Sequence, residues 1–277
     1  MALAASLLKG NRHEWALLKR HSSEKIFGVQ IAGGYGDLLA RTVEVIDTEL
    51  EDVDFIDLNM GCPLDGLTKK RAGSGLLRLS QNVVREVLLP TVYSSGSTPF
   101  TCKIRTGFTE AKQTAHSLVA RAVRESGVMY CTLHGRSKEG RYTKPANWEY
   151  IEKCAQNLHS EIDNDKEKGR YGVEMDIQEL QMCGNGDILS WEDWYKGMEI
   201  QERVPSYATN MIGRGALIKP WIFKEIAEKK VYDIRSSERF DMLKKFCDYG
   251  LEHYGCDEEG VSKTRKFLLE WQSFLCR

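Results

Sequence analysis

The sequence predicts an α/β fold built on a parallel sheet, as a barrel or an open doubly wound sheet, with a small helical segment after it. Three observations lead there. Short β-rich runs alternate with stretches of helical periodicity, and repeated β–α units imply parallel strands joined by crossovers. The strand-like runs end in Gly, Pro, Asn or charged residues, the punctuation of strand ends that carry chemistry. From Ser236 onward no strand signal remains. At 277 residues the chain can bury a large core, and α/β barrels of about this size commonly form one domain.

Ile26–Ile31 is the first β-rich run, followed by a helix-compatible stretch from Asp37 to Leu50. Phe55–Asn59 is an apolar run with Asp57 inside it, the pattern of a strand buried in a parallel sheet. Ser80–Leu89 reads as a helix that Pro90 ends. Phe100–Ile104 is the next strand. Ala115, Leu118, Val119, Ala122 and Val123 then recur at helical spacing, with Gly127 in the left-handed closing position. Val128–Leu133, Leu180–Cys183 and Tyr207–Ile212 supply further strands, and Ser190 is placed to cap the helix after the second of these. The charge-rich stretch 159–179 interrupts the rhythm and reads as a polar surface insertion. Phe240–Tyr254 and Val261–Leu275 read as two helices around the Gly255–Gly260 turn.

Composition narrows the function. The formal net charge is −1, so no global basic field announces nucleic acid, although a local patch would suffice. Eight cysteines lie scattered without a CxxC pair or a Cys/His cluster at zinc spacing. They read as reduced thiols of the cytoplasm and/or nucleus, with no metal site. The apolar start, Met1 to Lys9, is too short for a membrane span and lacks a basic leader.

Polar residues gather where the strands stop. Cys62 follows Asn59 and Met60 in a turn where Gly61 is expected to permit a tight backbone and Pro63 to stop the strand. A lone cysteine is usually a buried structural one, but a thiol held at a strand's carboxyl end can donate a proton or attack as a nucleophile. Gln30, Lys103, Arg105, His134 and Arg136, Asn185-Gly186-Asp187, and Gly213-Arg214-Gly215 follow the other strands. Together they form a partly cationic ring around Cys62. The last two groups suit a phosphate, through backbone N–H groups freed by glycine and the guanidinium of Arg214.

Five motifs then carry a resemblance: Asp57-Leu-Asn-Met-Gly-Cys-Pro63, Cys102-Lys-Ile-Arg-Thr-Gly107, Leu133-His-Gly-Arg136, Gly184-Asn-Gly-Asp-Ile188 and Ile212-Gly-Arg-Gly-Ala216. In order and spacing they resemble the tRNA-dihydrouridine synthases. The segments Glu14–Arg20, Gly250–Tyr254 and Phe267–Leu275 resemble the eukaryotic branch acting on uridine 47 of tRNA. The resemblance implies a (β/α)8 TIM-type barrel that binds FMN and is reduced by NADPH, spanning 1–234, and the start of a helical tRNA-binding domain over 235–277. It implies a hydride delivered to uracil C6 and a proton delivered from Cys62 to C5. By the same resemblance Lys103, Gln30 and His134 line the flavin ring, while Asn185, Gly186, Asp187, Gly213 and Arg214 hold its ribityl and phosphate end. Asn59 meets the uracil, and Arg136 is a substrate contact or loop scaffold. Arg and Lys residues around the mouth of the barrel, with Lys263, Arg265 and Lys266, would meet tRNA phosphates. A monomer is expected.

The chain departs from the family at both ends. By that resemblance the family's first β-α unit, with a Pro-Met pair touching the flavin, is expected to be missing here, and Met1–Ala4 resembles its second strand. Six clear strands plus this stub leave the barrel one short, and the helical domain stops early. The alternatives are an inactive truncated tRNA-binding fragment, or another FMN-barrel oxidoreductase acting on a small pyrimidine.

Overall fold

The computed structural model describes residues 1–79, 82–167 and 181–275. Seven strands form one sheet in chain order: β1 (Ala2–Leu3), β2 (Gly28–Ala32), β3 (Phe55–Met60), β4 (Phe100–Arg105), β5 (Tyr130–His134), β6 (Gln181–Asn185) and β7 (Tyr207–Met211). Every neighbouring pair is parallel. The six expected strands and the N-terminal stub are all present, and an α/β sheet of this kind is consistent with a TIM-type barrel.

The period-two alternation of these strands explains what the sheet is for. One face carries Val29, Ile31, Ile56, Leu58, Phe100, Ile104 and Leu133, none of them more than 2% exposed. Helices cover apolar strand faces of this sort, with Leu39, Val43 and Ile46 buried along α3 (Gly36–Glu49) and Leu118, Val119 and Ala122 along α6 (Ala115–Ser126). The helices up to that point are α1 (Ala4–Leu7), α2 (Arg12–Trp15), α3 (Gly36–Glu49), α4 (Asp65–Thr68), α5 (Leu89–Tyr93) and α6 (Ala115–Ser126), the last closed by Gly127 at φ +77°. The alternate positions are polar and fall in rows. Gln30, Asp57 and Thr101 share one row, Asn59, Lys103 and Thr132 the next, and Arg105, His134 and Asn185 the one nearest the strand ends. Two successive turns of pleat separate the first row from the third, so the polarity extends down into the sheet and is not confined to its rim.

Two expectations need correction. The helix expected to stop before Pro90 continues through it. Val84–Leu88 widens into a π-helical turn, and α5 carries Pro90 in its first turn. A proline has no N–H for the carbonyl four residues earlier and its ring crowds that carbonyl, and the wider turn relieves both problems. The Glu86 carbonyl lies against Gly36, where a Cβ would sit 2.2 Å from its oxygen, so the start of α3 needs a glycine.

The polar insertion expected from His159 is helical up to Glu167, because α7 runs over Trp148–Glu167. Ile151, Ala155, Leu158 and Ile162 continue one buried stripe along it. Its acidic residues are engaged as well: Arg124 of α6 pairs with Glu161 at 2.8 Å and with Asp165, which is 5% exposed. Residues 168–180, the rest of the expected insertion and the expected start of a strand at Leu180, lie outside the described residues.

By internal contacts the chain divides into two units, one comprising Met1–Gly186 with Gly197–Met211, the other Asp187–Lys196 with the chain from Ile212 onward. The helix α8 (Trp191–Arg203) starts as expected, with the Ser190 hydroxyl accepting the Asp193 amide at 3.2 Å. In the second unit follow α9 (Arg214–Ile218), α10 (Ile222–Glu228), α11 (Ser236–Tyr254) and α12 (Glu258–Leu275). The last two are the expected helix pair. They pack through Phe246 on Trp271, ring centroids 5.0 Å apart, and through Gly250, where a Cβ would lie 2.5 Å from the Thr264 methyl. Glu225 is fully buried in this unit and accepts from Lys219 Nζ at 2.6 Å, Trp221 Nε1 and the Tyr232 amide at 3.1 Å. Burial pushes its pKa up, but these donors outweigh that and hold it below the usual carboxylate value.

Candidate active site

The turn after β3 holds Cys62, a half-buried free thiol, and it is fastened on every side. The Asn59 Oδ1 accepts both the Gly61 amide at 3.1 Å and the Cys62 amide at 2.8 Å. The Cys62 carbonyl accepts the Ser74 amide at 3.0 Å and the Ser74 hydroxyl at 2.9 Å. Arg105 Nε donates to the Gly61 carbonyl at 2.7 Å. Gly61 itself has a φ outside the left-handed region, and a Cβ there would meet nothing closer than 3.5 Å. The side chain of Asn59 therefore makes the turn, not glycine freedom at position 61. The glycine that matters is Gly73, at φ +57°, whose Cβ would sit 2.9 Å from the Cys62 carbonyl oxygen.

Asn59 is in turn held from below. Its Nδ2 donates to Gln30 Oε1 at 2.9 Å, Gln30 Nε2 donates to Asp57 Oδ2 at 2.8 Å, and the Thr101 hydroxyl donates to Asp57 Oδ1 at 2.8 Å. The chain of bonds runs from a buried carboxylate to the backbone of Cys62. Burial raises the pKa of Asp57, while Gln30, Thr101 and the charge of Lys103 pull it back without cancelling the rise.

Lys103 stands one row above Asp57. Its Nζ donates to Asn185 Oδ1 at 2.8 Å, and Asn185 Nδ2 donates to the Met211 carbonyl at 2.8 Å. Burial brings the lysine pKa down from 10.5 to about 8, against the opposing pull of Asp57. His134 is 6% exposed, with Arg136 3.3 Å from its Nε2. Arg136 is also buried and donates to the Lys144 carbonyl. Gly186, at φ +131°, lets the backbone approach His134 Cδ2, where a Cβ would lie 3.0 Å away.

Asn59, Cys62, His134, Arg136, Asn185 and Gly186 thus gather towards the strand ends of the first unit, with Gln30 and Lys103 deeper on the same polar face. In the second unit Arg214 donates to Asp187 at 3.2 Å, and Gly213 opens α9 with no atom within 4 Å of where a Cβ would stand. Asp57, Ser74 and Gly73 anchor this turn without having been singled out for that in the sequence, and Arg105 was placed in the ring without a role. A carboxylate inside an apolar strand, and an arginine two residues after Lys103 on the same face, were the available signals for two of them. Among the described residues no cluster of His, Cys, Asp and Glu could hold a metal ion, and no helix is long and apolar enough to cross a membrane.

A family model described as dihydrouridine synthase (Dus) matches residues 1–163 and 171–271. The chain belongs to the dihydrouridine synthase family. Over 277 residues it is 46% identical to a Xenopus laevis protein named tRNA-dihydrouridine(47) synthase-like, covering all of this chain and 39% of that protein. Like-named proteins of Oryza sativa subsp. japonica and Homo sapiens are each 45% identical, over 281 and 283 residues. Those names also carry NAD(P)(+). The chain spans less than two fifths of the length of these relatives, 37% of the rice protein and 38% of the human one.

Proposed function

We propose that this dihydrouridine synthase chain reduces a uridine of tRNA to 5,6-dihydrouridine, with FMN as the bound cofactor and NADPH as reductant. The observation that carries the reading is the Cys62 turn, fixed through Asn59, Ser74 and Arg105 at the strand ends beside Lys103. Relatives named for position 47 make uridine 47 the expected target.

The donor set fits FMN. Lys103 is a largely desolvated ammonium whose hydrogen-bond acceptor is a neutral amide, so an electron-rich ring edge beside it would relieve the cost of its burial. Gln30 and His134 would bind the ring with it, while Asn185, Gly186, Asp187, Gly213 and Arg214 would take the ribityl and phosphate end. FMN supplies a hydride for uracil C6 once NADPH has reduced it. Cys62 holds the proton for C5 on its Sγ, and the fixed backbone of its turn sets where that proton is delivered. Asn59 has its Oδ1 committed to the Gly61 and Cys62 amides and one N–H to Gln30, which leaves its second N–H for the uracil. At pH 7 a lysine with a pKa of about 8 is mostly protonated, so Lys103 would offer its charge where negative charge develops.

The target uridine must leave the tRNA stack to reach such a site. Lys263, Arg265 and Lys266 of the second unit are the proposed phosphate contacts. The chain would act as a monomer, and its free thiols suit the cytoplasm and/or nucleus. The test is incubation of the purified chain with FMN, NADPH and unmodified tRNA, followed by nucleoside mass spectrometry. A uridine at position 47 gaining two hydrogens is the expected product. A chain that binds FMN stoichiometrically and leaves every uridine unchanged would defeat the reading.

A further inference from the structure

Arg105 ends β4 and is 3% exposed. Its N–H groups go to carbonyl oxygens rather than to a carboxylate: Nε to Gly61 at 2.7 Å, and one terminal nitrogen to Ser137 at 2.9 Å and Arg141 at 3.3 Å. Gly61 lies on the turn that carries Cys62. Ser137 and Arg141 lie on the loop after β5, more than 70 residues further along. The same two segments meet again at the surface, where Asp65 accepts from Lys138 at 3.0 Å and from Arg141 at 3.3 Å. The ring of Tyr142 lies 5.5 Å from the guanidinium carbon.

Exposed ion pairs of the Asp65 kind contribute little, so the surface link cannot hold the two segments in register. A buried guanidinium can. Its planar fork offers N–H groups in fixed directions and so binds carbonyls on two segments at once, a geometry a lysine ammonium does not reproduce. Burial alone disfavours the charge. The Tyr142 side chain opposes that cost, and the carbonyls of Gly61, Ser137 and Arg141 accept the N–H groups that burial takes from water.

We propose that Arg105 is the positioning residue for the Cys62 thiol, its buried guanidinium fastening the turn that carries Cys62 to the loop after β5. Its catalytic consequence rests on the uridine reduction proposed above, but its structural consequence does not. Arg105 touches the backbone of the turn, so its loss frees the thiol to sample other positions without removing it.

The experiment compares the full chain with its Arg105→Lys and Arg105→Met variants. Iodoacetamide labelling is followed peptide by peptide, with Cys256, exposed in the second unit, as the internal standard. Cys62 should label at least about fivefold faster relative to Cys256 in Arg105→Met, with Arg105→Lys failing to restore the wild-type rate. In the tRNA assay Arg105→Lys should cost about tenfold in rate when Cys62 is present and nothing further in a Cys62→Ala background, as expected when one residue acts through another. Unchanged relative labelling of Cys62 in a folded variant would overturn the proposal, as would a full additional loss in the Cys62→Ala background. If Arg105→Met does not fold, Arg105→Lys carries the same comparison. Faster Cys62 labelling in a chain that never reduces uridine would uphold the positioning role and remove the functional reading instead.

Discussion

Lys103 makes the pH dependence of stability predictable. Its pKa lies near 8 in the folded chain against 10.5 in the unfolded one, chiefly through burial. Below pH 8 both states are protonated, and the folded state bears the cost of a buried ammonium. Between about pH 8 and 10.5 the folded state releases its proton while the unfolded state keeps it. The unfolded state then binds more protons, so stability rises with pH across that window. A drop of this size corresponds to about 3 kcal/mol, most of it regained by pH 10. Lys103→Met keeps the stem and removes the charge. Urea midpoints and m-values of both proteins, measured from pH 7 to 10, give the comparison. The stability of wild type relative to Lys103→Met should climb by about 2–3 kcal/mol over that range. Parallel curves would show that Lys103 titrates near its ordinary value and that the burial argument is wrong.

Four further substitutions separate close packing from mere sequence pattern. Gly73→Ala forces a Cβ to within 2.9 Å of the Cys62 carbonyl oxygen at φ +57°, so thermal denaturation should show a loss of about 1–3 kcal/mol. Gly61→Ala should by contrast stay within about 1 kcal/mol, and equal losses for the two would return the turn to Gly61. Arg124→Ala removes a charged donor from the buried Asp165 carboxylate between α6 and α7, and a loss of about 2 kcal/mol in urea denaturation is expected, with Arg124→Lys retaining part of it. Gly250→Ala drives a methyl to 2.5 Å from that of Thr264, which should destabilise the α11–α12 pair by about 1–3 kcal/mol, read as faster amide exchange in those helices.

The strands were legible because alternation and its punctuation are local. Phe55–Met60 and Phe100–Arg105 show their buried face and their polar ends within six residues each. Pro90 misled because the rule that it stops a helix takes no account of a π-helical turn, which Val84–Leu88 adopts just before it. The charges after His159 misled for another reason: Asp165 is buried because Arg124 waits on another helix. At the site, motif order singled out Cys62, Lys103 and Asn185 as candidates. It did not reveal that Asn59 spends its oxygen on the Cys62 turn, or that Ser74 and Arg105 bind two successive carbonyls of the same turn. Those bonds join residues twelve and forty-four positions apart, and no spacing rule records them.

The central claim is that the thiol of Cys62 supplies the C5 proton. It is tested most directly by one turnover of the NADPH-reduced, FMN-loaded chain with unmodified tRNA, wild type beside Cys62→Ala. Loss of a general acid should slow dihydrouridine formation by about a hundredfold or more while FMN reduction by NADPH proceeds at the wild-type rate. Dihydrouridine formed equally fast by Cys62→Ala would contradict the claim outright.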